Sequence, residues 1–452
     1  MRASSKAALL FVALAVVILS PFAAGAFDGL AYAAACIALL VFAAYAFGRP
    51  GGRASRRVSL VLVSACLGVT LFDLAARPAL LHLYGVRPAD RYIRRWPTLP
   101  LLQRYEAGVN FEGETYGDLA AVSGRGDWRE RRRIRFVTDE YGFRNEPRGD
   151  DARPLDLVLL GDSFGVAAGT SQEETLGGVL AREYGLAVYN LSVSRENPRQ
   201  QYANLLLEGG RLNTREDALV LWLIFPGNDL DEPYHAELED PRPEAPGLLT
   251  RLGVGVGDFR SRSPVRTLLS RGGAGRVIER KLPDGRPVLF DETYARRRGR
   301  TAEDVLRHPN FESLKRTLGL MERLAGQRRL RVAVALVPSK EEAYSWVLDG
   351  APPWSSGAGP SGASVVLRGL CERHGFRFLD LRPALVEAAR AAYEKSGALL
   401  WWRDDTHWNG EGQRVAASAV HANLLREAPH GPNAQTAPPT LSTSRETRGT
   451  RR

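Results

Sequence analysis

Cysteine is scarce in this chain, with three among 452 residues. Cys36 and Cys66 fall in apolar N-terminal runs and Cys371 stands alone in the remainder, so no disulfide framework is available and cysteine usage does not decide the compartment. Cys371 ends a helical pattern, Val365-Val-Leu-Arg-Gly-Leu-Cys371, where a buried thiol is expected rather than a nucleophile. Histidine is also rare, and His374, His407 and His421 are too dispersed for a metal-ligand motif; no metal and no cofactor are expected. Internal repeats are lacking. The net charge of +10 raises nucleic acid as a partner. Its source, however, is arginine scattered through loops, the N-terminal third and the tail, with no nucleic-acid motif, so nucleic-acid binding is not expected. A hydrophobic content of 44% suffices for a packed core.

Long apolar runs are confined to the N-terminus, at residues 7–24, 29–47 and 58–72. The first two approach the roughly 20 residues needed to cross a bilayer, and the third reaches that length by taking in Asp73, Ala75 and Ala76. Arg49, Arg53, Arg56 and Arg57 lie between the second and third runs, and only Asp28 between the first and second. By the positive-inside rule the N-terminus and the arginine loop are cytoplasmic, and residues beyond about Leu80 lie outside. Ala24-Gly25-Ala26 also reads as a signal-peptide cleavage site, which would leave two spans and the same outcome. The expected organisation is three transmembrane helices in 1–80, a connector and lead-in at 81–153, a catalytic domain at 154–427 with an insertion at 231–310, and a disordered tail at 428–452. In the connector, Arg129 and the run Arg131-Arg132-Arg133 read as a solvated face, and Tyr141-Gly142 as a turn feeding a short strand.

From residue 155 the pattern alternates. Strands are expected at 155–160, 187–193, 218–225, 330–337 and 376–381, and helices at 174–184, 198–209, 383–395 and 410–425. Such alternation predicts an α/β fold, a doubly wound parallel sheet with helices on both faces. The rhythm fails between 231 and 310, a stretch with Pro241, Pro243 and Pro246 that reads as a lid or small subdomain over the active face.

The apolar run 157–160 breaks off at Gly161-Asp162-Ser163, which puts Ser163 at the carboxyl end of a buried strand. Open α/β sheets place their chemistry there. A serine in that position can equally be a helix cap. Further polar clusters stand at Asn190 to Ser194, Gly227-Asn228-Asp229 and Asp404-Asp405-Thr406-His407, most of them just after a strand, and converging strand ends can bring them to one edge. Ser, His and Asp are the parts of an activated hydroxyl nucleophile. Each cluster also has a plainer reading. Asn228 fits a turn, Asp404 and Asp405 fit a helix N-terminus, and Lys340 fits a solvated lysine as well as a group facing a substrate carboxylate. Trp401, Trp402 and Trp408 suit sugar stacking and core packing equally.

Gly161-Asp162-Ser163-Phe164, Asn190-Leu-Ser-Val-Ser194, Gly227-Asn228-Asp229 and Asp405-Thr406-His407-Trp408 resemble, in order, the four blocks of the GDSL/SGNH hydrolase superfamily. The segments from Asp139 to Asn145 and from Val337 to Tyr344 resemble its membrane-associated bacterial branch, which includes the alginate O-acetylation factors. The likeness covers about residues 136–425 without the insertion. It implies an SGNH/flavodoxin-like three-layer fold. It also implies Ser163 as nucleophile, His407 as general base, and an oxyanion hole from the Ser163 N–H, the Asn228 amide beside Gly227, and the N–H of a block-two residue. The assisting acid is Asp405 by the Asp-x-His pattern or Asp404 by the Asp-x-x-His spacing, with Asp405 favoured. Arg195 stands where the family has glycine, and arginine resists the positive φ that glycine tolerates. The implied activity is acyl ester hydrolysis or O-acetyl transfer on a glycan outside the inner membrane. A catalytically weak scaffold that binds glycan or partners a membrane acyltransferase is the alternative.

Overall fold

The computed structural model of the protein describes residues 87–123, 126–149, 153–243, 277–354 and 359–425. The three expected membrane spans and the tail lie outside the described residues. Among the described helices none is long and apolar enough to cross a membrane.

Two antiparallel ribbons come first: β1 (Ile93–Arg95) pairs with β2 (Gln103–Tyr105), and β3 (Asn110–Thr115) with β4 (Arg132–Val137). Both ribbons lie within the stretch expected as connector and lead-in. The main sheet follows with β5 (Leu155–Leu160), β6 (Val188–Asn190) and β7 (Thr214–Ile224), and later β10 (Arg331–Leu336) and β11 (Arg377–Asp380). Its order is β11-β10-β7-β5-β6 and every pairing is parallel. Within the sheet the first strand therefore lies between the second and the third. The order reverses there, which opens a crevice at the carboxyl ends of the strands.

The continuous apolar strands predict burial on both faces, and alternate residues do go to opposite layers. Val158, Leu160, Val220, Trp222 and Val334 pack with the helices Pro198–Glu208, Phe311–Gln327 and Gly362–Arg373. Leu157, Leu159, Leu221, Leu223 and Ala335 pack with Leu176–Tyr184, Arg382–Ser396 and Gly410–Val420. This is the doubly wound parallel sheet that the alternation predicts. Cys371 is buried on the first side, as its pattern predicts.

Several expectations need correction. β6 ends at Asn190 instead of running to 193; beyond it Leu191 N and Val193 N still donate to Leu159 O and Gly161 O, while the Asn190 side chain accepts from Ser192 N and donates to Gly165 O. Residues 141–145 form a turn, and the described residues 146–149 after it are not a strand: Asp139 Oδ1 accepts from Tyr141 N and Phe143 N, each at 3.0 Å. The insertion is not without period where it is described. It contains a hairpin, β8 (Val277–Lys281) with β9 (Pro287–Asp291), and the short helices Glu292–Arg297 and Ala302–Leu306. Leu282, Val288 and Phe290 are buried in the second core layer. The hairpin's Leu289 N–H donates to Arg403 O at 2.9 Å, beside the expected catalytic loop.

Candidate active site

Gly161 and Asp162 follow β5, and Ser163 opens a short helix, Ser163–Val166. Asp162 caps it, its Oδ1 accepting from Phe164 N at 2.9 Å. The turn is tight because the block-two loop crosses it: a Cβ on Gly165 would sit 2.1 Å from Ser192 Oγ. Ser163 is half-buried, while Phe164, Gly165 and Val166 behind it are buried.

The loop after Leu400 returns to this edge as a small hairpin, closed by an antiparallel bridge between Trp401 and Trp408. Lys340 Nζ pins it from below, donating to the carbonyls of Trp402 at 3.1 Å, Arg403 at 3.3 Å and Asp405 at 2.5 Å. The lysine is fully buried, so the readings as a solvated side chain or a substrate contact are both corrected. Burial also depresses its ammonium. Trp401 and Trp408 are buried too, and belong to the core rather than to a sugar-stacking surface. Trp402 lies under the Arg132 guanidinium at 4.1 Å.

His407 Nε2 lies 2.7 Å from Ser163 Oγ. On the other side of the ring, Nδ1 is 2.7 Å from Asp405 Oδ1, 3.0 Å from Thr406 Oγ1 and 3.4 Å from Asp118 Oδ2. Oxygens on that side favour the Nδ1–H tautomer, which leaves the Nε2 lone pair to face the serine hydroxyl. Burial disfavours the charged imidazole, but the Asp405 carboxylate outweighs it and raises the ring above its usual value. Burial likewise opposes ionised Asp405, yet Arg87, His407 and Arg132 hold its carboxyl well below the usual range.

The two adjacent carboxylates part company here. Asp404 does not reach the imidazole: its Oδ2 accepts from Gly117 N at 2.7 Å and Glu130 N at 2.9 Å, and its Oδ1 from Arg132 Nη1 at 3.1 Å. Its own carbonyl accepts from Leu119 N and Ala120 N, each at 3.1 Å. Gly117 permits this approach, since a Cβ there would meet Asp404 O at 1.9 Å. Burial raises the Asp404 carboxyl.

Block three sits across the crevice. Asn228 is half-buried and one amide N–H donates to Asp162 Oδ2 at 3.2 Å, which orients the group. Burial raises Asp162. Gly227 is buried and its carbonyl accepts from Arg297 of the insertion. In block two, Arg195 adopts φ +69° with its side chain exposed. Its neighbours hold that conformation. Ser194 Oγ bonds Tyr105 Oη at 2.8 Å, and the buried Glu196 carboxylate accepts from Gln103 N and Asn204 Nδ2. Burial pushes Glu196 up to about 7.

Asp118, Arg87 and Arg132 were not foreseen as site residues. Arg132 is not part of a solvated face. It shares the inward register of β4 with Ile134 and Phe136, and a charged residue in an apolar period-two register was the available signal. Arg131 and Arg133 do point outward, paired with Glu114 and Glu112. Asp118 and Arg87 carried no such signal. Asp118 Oδ1 and Oδ2 accept from Thr406 N at 2.8 Å and Thr406 Oγ1 at 2.6 Å. Asp118, Asp405 and His407 approach within 4.8 Å of one another. The two guanidinium groups on Asp405 already supply the positive charge that a metal ion would bring.

Residues 298–450 match the family model described as the SGNH hydrolase-like domain of acetyltransferase AlgX. No curated protein matches the chain in sequence. Among solved structures, a protein of Desulfitobacterium hafniense DCB-2 described as lipolytic and of the G-D-S-L family shares 11% identity, covering 59% of this chain and 98% of that one at TM-score 0.31. The structure of TesA shares 13%, covering 59% and 97% at TM-score 0.29. The YXIM protein of Bacillus subtilis shares 11%, covering 66% and 72% at TM-score 0.34. Overlays this loose say nothing about the site. With the family match over residues 298–450 and the four blocks gathered at one sheet edge, the chain is similar to the SGNH hydrolase-like domain of that family.

Proposed function

We propose that this protein is a membrane-anchored serine esterase or O-acyltransferase that acts on acetyl esters of a glycan outside the cytoplasmic membrane, through an acyl-enzyme on Ser163. The observation that carries the chemistry is the chain of contacts from Ser163 Oγ to His407 Nε2 at 2.7 Å and from Nδ1 to Asp405 at 2.7 Å. His407 takes the hydroxyl proton as Ser163 Oγ attacks the ester carbonyl, and Asp405 stabilises the imidazolium that forms. The tetrahedral oxyanion is met by the Ser163 N–H, the Asn228 amide and the Arg195 N–H. Collapse expels the alkoxide, which takes the proton from His407. Water or a sugar hydroxyl then attacks the acyl-enzyme by the same route and frees the serine.

Membrane anchoring rests on the three apolar runs and the arginine loop; acyl transfer rests on the likeness to the acetyltransferase domain, and the glycan on the resemblance of residues 139–145 and 337–344 to the alginate O-acetylation factors. A reporter fused after Leu80 is expected to read outside, and a cytoplasmic signal refutes the topology. The chemistry is tested by p-nitrophenyl acetate turnover of the full-length protein beside Ser163→Ala and His407→Ala. Loss in both variants is expected. An active Ser163→Ala refutes the acyl-enzyme.

Arg195 in the glycine position favours a second reading, a weakly catalytic scaffold that binds glycan or partners a membrane acyltransferase. The left-handed backbone at Arg195 argues against it, because the turn that glycine would supply is formed. Full biological activity of Ser163→Ala would select the scaffold.

A further inference from the structure

Two carboxylates compete for one imidazole nitrogen, and a third stands next to them in the chain. Asp405 Oδ1 is 2.7 Å from His407 Nδ1, Asp118 Oδ2 is 3.4 Å away, and Asp404 precedes Asp405. Two arginines bear on this trio, both from the lead-in. Arg132 bridges neighbours, with Nη1 at 3.1 Å from Asp404 Oδ1 and Nη2 at 2.9 Å from Asp405 Oδ2. Arg87 Nη1 reaches the same Asp405 oxygen at 3.2 Å and the near oxygen, Oδ1, at 3.4 Å. Their side chains are only 8% and 5% exposed. Arg132 is held in turn by the carbonyls of Gly169 and Glu130, and Arg87 by Asp90.

We infer that Arg87 and Arg132 are positioning residues that decide which carboxylate serves His407: Arg132 holds the far oxygen of Asp405, Arg87 spans both of its oxygens, and together they keep it ionised with its near oxygen aimed at Nδ1. Asp405 is wholly buried, and a lone carboxylate there would take a proton to escape desolvation. A protonated Asp405 could not stabilise the imidazolium. Two guanidinium groups within hydrogen-bond reach reverse that preference. Asp118 touches neither of them, and burial, then the charge of Asp405, push its carboxyl up to about 6. The two acids are thereby driven apart, and Asp118 is left to hold Thr406. The remaining charged groups facing the pair are Asp404, the ammonium of Lys340 on the loop carbonyls, and Asp162 on the serine side. The clamp means that the catalytic centre is not contained within the sheet domain, because the lead-in supplies the charges that make its acid an acid.

This inference rests on the reading of Ser163 as nucleophile and His407 as base, and the experiment separates the two. The full-length protein, with Arg132→Gln, Arg87→Gln, Arg132→Lys and Arg87→Lys, is assayed for the pH profile of kcat/KM on p-nitrophenyl acetate, with fluorophosphonate labelling of Ser163 and a melting curve for each. Removing either positive charge makes the Asp405–His407 pair easier to protonate, so the acid limb should move up by about one pH unit, with kcat on the plateau down about tenfold or more. The lysine variants keep the charge but not the fork that spans two groups, so the limb should stay while kcat falls. A limb that does not move in either glutamine variant overturns the clamp. Should the glutamine variants not fold, lysine variants with wild-type kcat overturn it instead. Wild-type protein that neither turns over ester nor takes the label overturns the underlying reading, and the clamp with it.

Discussion

Asp404 and Asp405 are chemically identical neighbours that the fold assigns to different work, and replacing each by asparagine separates the two. In Asp405→Asn the amide faces His407 Nδ1 in place of an anion held 2.7 Å away. The imidazolium then loses its stabilising charge and the tautomer its orienting acceptor, which in a Ser-His-Asp site of the chymotrypsin type costs about 10⁴ in kcat. In Asp404→Asn the damage falls on the fold. The side chain accepts from Gly117 N and Glu130 N on one oxygen and from Arg132 on the other. An asparagine can satisfy one side only, so its NH₂ faces a donor on the other. Breaking a buried ion pair from one side costs about 3–5 kcal/mol, or about 6–20 °C of Tm at the roughly 2–4 °C per kcal/mol of a domain near this size. Asp405→Asn breaks the Arg87 and Arg132 pairs as well, so its Tm falls similarly; the discriminating quantity is turnover per folded molecule. The assay is kcat on p-nitrophenyl acetate, normalised by fluorophosphonate titration of Ser163, beside a melting curve. Asp404→Asn should keep kcat within about tenfold and Asp405→Asn should lose about 10³ or more. An Asp404→Asn variant that melts normally yet loses turnover as Asp405→Asn does would refute the assignment.

Two further outcomes follow from the same geometry. His407 must be neutral to act as base and its value is raised, so kcat/KM should climb with pH along a limb lying above the ordinary imidazole value of about 6.5; a limb at or below that value contradicts the Asp405 contact. For stability the signs are opposite. The raised His407 stabilises the fold below its unfolded value and loses that contribution as pH rises through its folded value. The depressed Asp405 stabilises above its unfolded value and loses that as pH falls through its folded one. Gly165→Ala should destabilise the protein and impair turnover, because its Cβ would lie 2.1 Å from Ser192 Oγ and 2.7 Å from Ser192 Cβ. Ser192→Gly in the same chain should restore much of the loss, and a double variant no better than Gly165→Ala would show that the strain lies elsewhere.

The parallel strands were legible because both of their faces are buried. Runs such as 157–160 need no knowledge of their neighbours, and a glycine-bearing turn after an apolar strand marks the carboxyl edge of a sheet. Ser163, Asn228 and His407 could be read for the same reason, as polar clusters at ends that must converge. The choice between Asp404 and Asp405 was not closed by spacing, since either offset can reach an imidazole. It depends on backbone donors from Gly117 and Glu130, remote in sequence, that occupy one of the two. Lys340 reads as a surface lysine until three carbonyls of a distant loop are brought over it. Arg195 reads as a defect until its neighbours are seen to be anchored on Tyr105, Gln103 and Asn204. The chain alone determined the layers of the fold and put Ser163 and His407 among the polar clusters expected to meet at one sheet edge, because local periodicity and strand ends encode both. Only the tertiary structure decided which acid is ionised and what holds it, because a buried charge takes its state from whatever the fold packs against it.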